Sequence, residues 1–381
     1  MAVTDTAVAI DESAVTVGDG LSGTATAASN ATSAATSTSG KATAAGTVTE
    51  SVGVDDSSIS IGSDGTYTVN ETGVASATSS STNSTAADSS TATATVTDTG
   101  GITDAGSDTD VDVTVGSSAT LAVTADNTAT ATATGVDGGV TATSLVTESL
   151  GLEDTGVSVG NSGTVTVNAD ADSVATATTT GASGATAAST ADADATTVVA
   201  IEDIGNGTTA ATSDFSFGND ATIEANAGTS ADQVKVSGTA TTTTGNATAT
   251  ADSTLISGIN DVTGTDGAVD NVLSVGDSAT ITGRGYADVD ASATSTTGNA
   301  TGTATTAAVD GIQADTVITG GDASIKAFAN TSSDAVASTT DGDAAATNTL
   351  TASQGLDLDN LTVGDSTTAG GYDVVGSAIA D

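Results

Sequence analysis

The sequence predicts an all-β, elongated β-solenoid, in which short strands stack as coils around a core of small residues. Three observations carry that reading. Between Gly276 and Asp365 the glycines Gly276, Gly298, Gly320, Gly342 and Gly364 recur at an even interval of about 22 residues, the signature of a repeat array. Apolar runs of period two flank these glycines, as expected of strands with one buried face. Ala, Thr, Ser, Gly, Asp and Val dominate the composition, with 3 Tyr, 3 Phe and no Pro, Cys, His or Trp. A thick core of large side chains is therefore excluded, since those side chains supply most of the buried apolar area in one.

Taken along the chain, an apolar-x-apolar-Gly run anchors each repeat at Gly18, Gly62, Gly116, Gly160, Gly218, Gly276, Gly320 and Gly364. Successive separations are 44, 54, 44, 58, 58, 44 and 44 residues, so 44 is the base period and the rest is insertion. A second family, Gly40, Gly138, Gly298 and Gly342, lies half a base period after an anchor. Gly184 and Gly245 are slightly displaced from that spacing, and Ser84 takes the place in one repeat. Together these glycines predict structural turns between about fifteen 22-residue units arranged in 44-residue pairs.

The first kind of unit has a fixed apolar register. Three residues before the anchor stand Val15, Ile59, Val113, Val157, Phe215, Leu273, Val317 and Leu361. One residue before it stand Val17, Ile61, Val115, Val159, Phe217, Val275 and Val363, with Thr319 the exception. Five residues after it come Tyr67, Leu121, Val165, Ile223, Ile281 and Ile325. Asp19, Asn161, Asn219, Asp277 and Asp365 follow their glycines directly, which predicts side chains bonded to their own turns.

The second kind of unit is thinner. Thirteen residues after its starting glycine it carries a further glycine and an aliphatic residue, as in Gly53-Val54, Gly151-Leu152, Gly258-Ile259, Gly311-Ile312 and Gly355-Leu356. This pattern predicts a second corner with an inward anchor. Most of the extra residues follow that position, after Gly101, near Ile204 and after Gly258, so the insertions are expected to leave from one edge.

The whole chain reads as one array, with residues 1–14 a lead-in, 15–363 the solenoid and 364–381 a C-terminal cap or tail. A rung made of a single unit and a rung made of a pair of units fit the spacing equally well. Ser, Thr, Gly and Asp are also abundant in disordered chains. Frequent β-branched residues, the absence of Pro and an apolar register held from Val15 to Val363 favour order.

Forty-eight acidic residues against Lys41, Lys235, Arg284 and Lys326 give a net charge of -44. Nucleic acid and anionic membranes are poor partners for such a surface. Salt or divalent cations should ease its self-repulsion, because the Debye length falls to about 8 Å at physiological ionic strength. No membrane-spanning stretch and no cleaved secretory signal is visible, which leaves assembly inside a cell or export by an uncleaved signal as the expected routes.

Without His or Cys, Ser/His/Asp and Cys/His catalysis are excluded, and no glycine-rich phosphate loop ends in Lys. Carboxylate pairs remain as candidates for glycoside hydrolysis: Asp170 with Asp172, Asp192 with Asp194, and Asp357 with Asp359, with Phe328 and Tyr372 as aromatic partners. A solvated acidic surface is the plainer reading of all three pairs. Asp261, Asp266 and Asp270 form a speculative calcium loop, without an EF-hand or nonapeptide pattern around it. Thr66 with Thr68, Thr164 with Thr166 and Thr280 with Thr282 suggest an ice-binding ladder, interrupted by Glu224 and Lys326. No catalytic residue and no cofactor is assigned.

The segments SVGDSATITGRGYADVDASATSTTGNATGTATTAAVDGI and LDLDNLTVGDSTTAGG, with their VGDSAT-type turn, resemble the acidic Thr/Ala/Ser/Gly-rich β-strand-repeat proteins of marine cyanobacteria and their tailed phages. That resemblance implies a non-enzymatic structural role, as a fibre, appendage or decoration of a virion that self-associates through solenoid edges or ends. It also admits a secreted cell-surface adhesin or filament. The implied partners are copies of the chain, other structural proteins of the particle or surface, and a host glycan or protein.

Overall fold

The computed structural model describes residues 1–11, 14–38, 40–55, 58–82, 89–103, 112–153, 156–181, 187–204, 214–262, 272–363 and 373–380. These residues form strands and turns, with no helix among them.

Each coil contributes first to one sheet and then to a second. The first coil holds β1 (Ala2–Asp11), β2 (Val15–Val17) and β3 (Ser22–Ser37); the second holds β4 (Ala42–Asp55), β5 (Ile59–Ile61) and β6 (Thr66–Ser81). In the third are β7 (Ser90–Val96), β8 (Thr99–Thr103), β9 (Asp112–Val115) and β10 (Thr120–Gly135). In the fourth are β11 (Val140–Glu153), β12 (Gly156–Val159) and β13 (Thr164–Thr179). The fifth has β14 (Ser189–Ile204), β15 (Asp214–Phe217), β16 (Thr222–Ala227) and β17 (Val234–Thr244). The sixth has β18 (Ala247–Val262), β19 (Val272–Val275) and β20 (Thr280–Thr297). Long strands β21 (Ala300–Thr319) and β22 (Ser324–Asp341) make the seventh, and β23 (Ala344–Val363) with β24 (Asp373–Ala380) the eighth.

All described strand pairs are parallel, and insertion-free neighbours pair at an offset of 44 residues, as in Thr120 with Thr164 and Thr280 with Ser324. One rung is therefore 44 residues long and has two faces. In the second sheet β16 and β17 share a level, so its nine strands occupy eight levels, which at about 4.8 Å each make a stack about 35 Å long.

Stacking turns the period-two register into columns. Tyr67, Leu121, Val165, Ile223, Ile281 and Ile325 lie on one another, and each is buried. Gly23 faces Tyr67 at the head of that column, where a Cβ would stand 2.9 Å from the ring. Elsewhere the inward positions are mostly Ala, as in Ala129, Ala131 and Ala133 of β10. Small side chains let the two sheets close into a flattened cross-section, held by regular backbone pairing and many small contacts.

The anchor glycines open the β-turns between the sheets. Gly62 accepts from Gly65 N at 3.0 Å, and Gly18, Gly116, Gly160, Gly218 and Gly276 make the equivalent bond. The left-handed residue is two positions further on: Gly20, Asp64, Ser118, Ser162, Asp220, Ser278 and Asp322 have φ between 56° and 63°. What the anchor position demands is close approach. A Cβ on Gly276 would come within 2.5 Å of the Gly218 carbonyl carbon, and one on Gly320 within 2.8 Å of that of Gly276.

At the other corner Gly40, Gly245, Gly298 and Gly342 have φ of 108°, 102°, 130° and 148°, where glycine is required for its backbone freedom. Gly138 occupies the same place before β11. Inward hydroxyls satisfy the corner carbonyls: Ser295 donates to Gly245 O and Thr339 to Gly298 O, each at 2.8 Å. Gly184, Ser84, Gly364 and Asp365 lie outside the described residues.

Several sequence expectations change in detail. Residues 2–11 form β1, paired with β4, and 373–380 form β24, paired with β22, so both flanking segments contribute coils. The glycines read as a second corner, Gly53, Gly151, Gly258, Gly311 and Gly355, lie within strands of the first sheet. They stack because both the facing sheet and the next coil come too near for a side chain: a Cβ on Gly258 would stand 2.8 Å from Gly283 C in the facing β20 and 2.6 Å from Gly311 O in the adjacent β21. Their aliphatic neighbours Val54, Leu152, Ile259 and Ile312 are buried. Beyond them the first-sheet strand continues unbroken in β21 and in β23. Pairing of β14 with β18 runs to Ile204 with Val262 and resumes between β15 and β19 at Asp214 with Val272. The inserted residues 205–213 and 263–271 lie outside the described residues.

Candidate functional site

The described departure from coil regularity within the second sheet is in the fifth coil. Two residues separate Ala169 from Asp172 in β13, while seven separate their partners Ala227 and Lys235, so five extra residues loop out between β16 and β17. The same five residues delay Gly245 relative to its anchor Gly218. Gly228 begins the loop at φ 68° and donates to Ala169 O at 2.8 Å. Thr229 N then donates to Asp232 O at 2.5 Å, and the Thr229 hydroxyl accepts from Asp232 N at 3.0 Å.

This loop walls a groove of about 170 Å³ on the outer face of the second sheet, lined by Asp126, Asn168, Asp170, Asn226, Thr229 and Asp232 among others. Asp126 and Asp170 are direct neighbours in register. Burial, followed by the charges of Asp172 and Asp232, pushes the Asp170 carboxyl up to about 7. Burial also raises Asp126, with a further contribution from Asp232. Asp172 is raised by burial and Asp232, with Lys235 acting against them. At the rim, Asn226 Nδ2 donates to Asn168 Oδ1 at 2.9 Å and Arg284 Nη1 donates to Asn226 Oδ1 at 2.8 Å.

The groove thus offers a carboxyl that exchanges its proton near neutrality, flanking carboxylates and a row of side-chain amides. Of the pairs proposed from the sequence, Asp170 and Asp172 are in or beside it. Phe328 is on the same outer face, with the Arg284 guanidinium 5.8 Å from its ring centroid. Asp192 and Asp194 are on the first sheet, away from the groove. Thr250 Oγ1 donates to Asp192, and burial with the charges of Asp192 and Asp252 pushes Asp194 up to about 6. Asp357 acts on Asp310, which burial and that charge push up to about 6. The Asp359 side chain and Tyr372 lie outside the described residues.

Asp266, Asp270 and the side chain of Asp261, the three members of the calcium loop, also lie outside the described residues. Among the described residues no group of three or more acidic side chains is gathered closely enough to hold a metal ion. Thr66, Thr120, Thr164, Thr222 and Thr280 stack as one column, while the column two residues on is broken by Ala122, Glu224 and Lys326. No described helix is long and apolar enough to cross a membrane.

Sequence reasoning missed two features. One is the groove, because the five-residue loop meets its other walls only across coils. The other is a pair of polar ladders along the two corners. Asp19 Oδ1 accepts Ser63 N at 2.8 Å, Asn161 Oδ1 accepts Asn219 N at 2.9 Å, and Asp277 Oδ1 accepts Gly321 N at 2.6 Å. The residue after the anchor thus bonds the next coil's turn, where the sequence suggested its own. Asn246, Asn299 and Asp343 repeat the pattern at the opposite corner. The signal for both was visible as Asx residues recurring at coil spacing.

No family model, curated protein or solved structure matches the chain.

Proposed function

We propose that the chain is a non-enzymatic structural protein that builds a fibre, appendage or decoration of a virion and self-associates through the edges or ends of its solenoid. The observation that carries this reading is the open ladder. Among the described residues, β1 and β3 at one end and β23 at the other each keep one edge without a partner strand. In a parallel stack such edges are complementary by construction, and an uncovered edge recruits further strands. Apolar side chains are exposed near both ends, with Met1 at 71%, Leu21 at 61%, Val336 at 53% and Leu361 at 42%.

The virion setting is supported by the resemblance to repeat proteins of marine cyanobacteria and their tailed phages. The same solenoid suits a cell-surface adhesin or extracellular filament. Fractionation separates the two: the virion reading predicts the protein in purified particles, and recovery only from culture medium or cell surface contradicts it. Sedimentation velocity tests self-association itself, with larger species expected as concentration rises. A carbohydrate-degrading activity centred on Asp170 and Asp172 predicts sugar release that D170N abolishes; absence of release from candidate host polysaccharides supports the structural reading.

A further inference from the structure

The inward side of β6 reads Tyr67, Val69, Glu71, Gly73 and Ala75, so one carboxyl points into a column otherwise made of alanines and Gly285. Its partners in that column are Ala27 in β3 and Ala125 in β10, with Ala169 on the rung beyond. Glu71 is 1% exposed. Asn127, at 0%, lies over Gly73 on the next rung. Asn127 Nδ2 donates to Glu71 Oε2 at 3.2 Å and to Ser149 Oγ at 2.8 Å, and Ser149 Oγ donates to Asp170 O at 2.9 Å.

Two oxygens of this network are left over. Glu71 Oε1 and Asn127 Oδ1 are both buried without a hydrogen-bond partner. Both line the cradle beside Gly73, where a Cβ would meet Asn127 Oδ1 at 2.5 Å and Glu71 Oε1 at 3.4 Å. Two unpaired buried acceptors bordering one cradle are costly, and a buried carboxylate without a cation is costlier still. A single proton on Oε1 turns one acceptor into a donor and satisfies both.

We infer that Glu71 is held as a neutral carboxylic acid whose Oε1–H is donated to Asn127 Oδ1, so that one proton closes a polar clasp across the second, third and fourth coils. Loss of that proton opens the clasp. The surrounding charge supports this assignment. Of the strands packed against β6, β4 carries Glu50 and Asp55 and β10 carries Asp126, while β3, β7 and β8 carry no titratable side chain. Burial dominates and pushes Glu71 up to about 8; hydrogen bonds from Ser51, Asn127 and the Asp126 main chain oppose it, and the Asp126 charge adds to it. Because the clasp ends on the Asp170 carbonyl, it also joins the core to the strand that floors the outer groove.

The test uses the full chain labelled with ¹³C in its glutamate carboxyls, which separates 7 Glu from the Asp background in the infrared spectrum. At about pH 6 a neutral carboxylic acid band should be present in the wild type, should vanish above about pH 9, and should be missing from E71Q. In parallel, the wild-type unfolding constant should rise about tenfold per pH unit between the ordinary glutamate range and the raised value, and E71Q should lack that increment. Identical bands in wild type and E71Q, or parallel pH profiles of unfolding, would overturn the assignment. If E71Q does not fold, the labelled wild type alone decides, since absence of any neutral-acid glutamate band near neutral pH contradicts it.

Discussion

Asn219 Oδ1 accepts the main-chain N–H of Asp277 at 2.9 Å, a bond across 58 positions of chain between neighbouring coils. Its own N–H donates to Asn161 Oδ1 at 2.9 Å, so each Asx residue reads the turn below and is read by the turn above. N219A should therefore lose one inter-coil bond and destabilise by about 1 kcal/mol. N219D keeps the acceptor and should stay close to wild type. Urea unfolding of the two variants checks this, and equal midpoints for both would count against the ladder.

The anchor glycines make a sharper prediction. A Cβ on Gly276 collides with backbone of the preceding coil, which has no side chain to rotate away, so G276A should cost about 3 kcal/mol or more. Gly139 has nothing within 4 Å of its added Cβ and a φ outside the left-handed range. G139A should stay within about 0.5 kcal/mol of wild type. Thermal unfolding of the pair compares a stacked glycine with an unstacked one.

Acid groups set the pH dependence. Asp170 is held near 7 in the folded chain, chiefly by burial, well above the usual aspartate range. A raised carboxyl contributes stability that is complete below the unfolded value and is lost as pH rises through the folded one. The solenoid should thus be more stable at about pH 5 than at about pH 8. D170N should remove part of that difference and gain relative stability at the higher pH. A D170N profile superimposable on wild type would show that the groove carries no such proton.

Much of the fold is legible in the sequence because ladders repeat their chemistry. The column from Val15 to Leu361 and that from Tyr67 to Ile325 are recognisable from spacing alone, and they stack as read. Rung length is ambiguous in the sequence because glycine stands at both corners, half a base period apart. The bulky apolar column recurs only at the full period, which is the coil the structure shows. The stacked glycines inside the first sheet resemble a corner, because close sheet contact and a turn both select glycine. Glu71 is lost among 48 acidic residues, although its parity with Tyr67 and Val69 places it inward. The groove depends on an insertion whose effect is felt across coils, which no local pattern encodes.

The self-associating structural role is tested most directly by electron microscopy of the purified full chain over a range of concentrations. Stacking through open edges predicts rods or fibres that lengthen beyond the roughly 35 Å of the eight-level stack. Compact single particles at every concentration would contradict it.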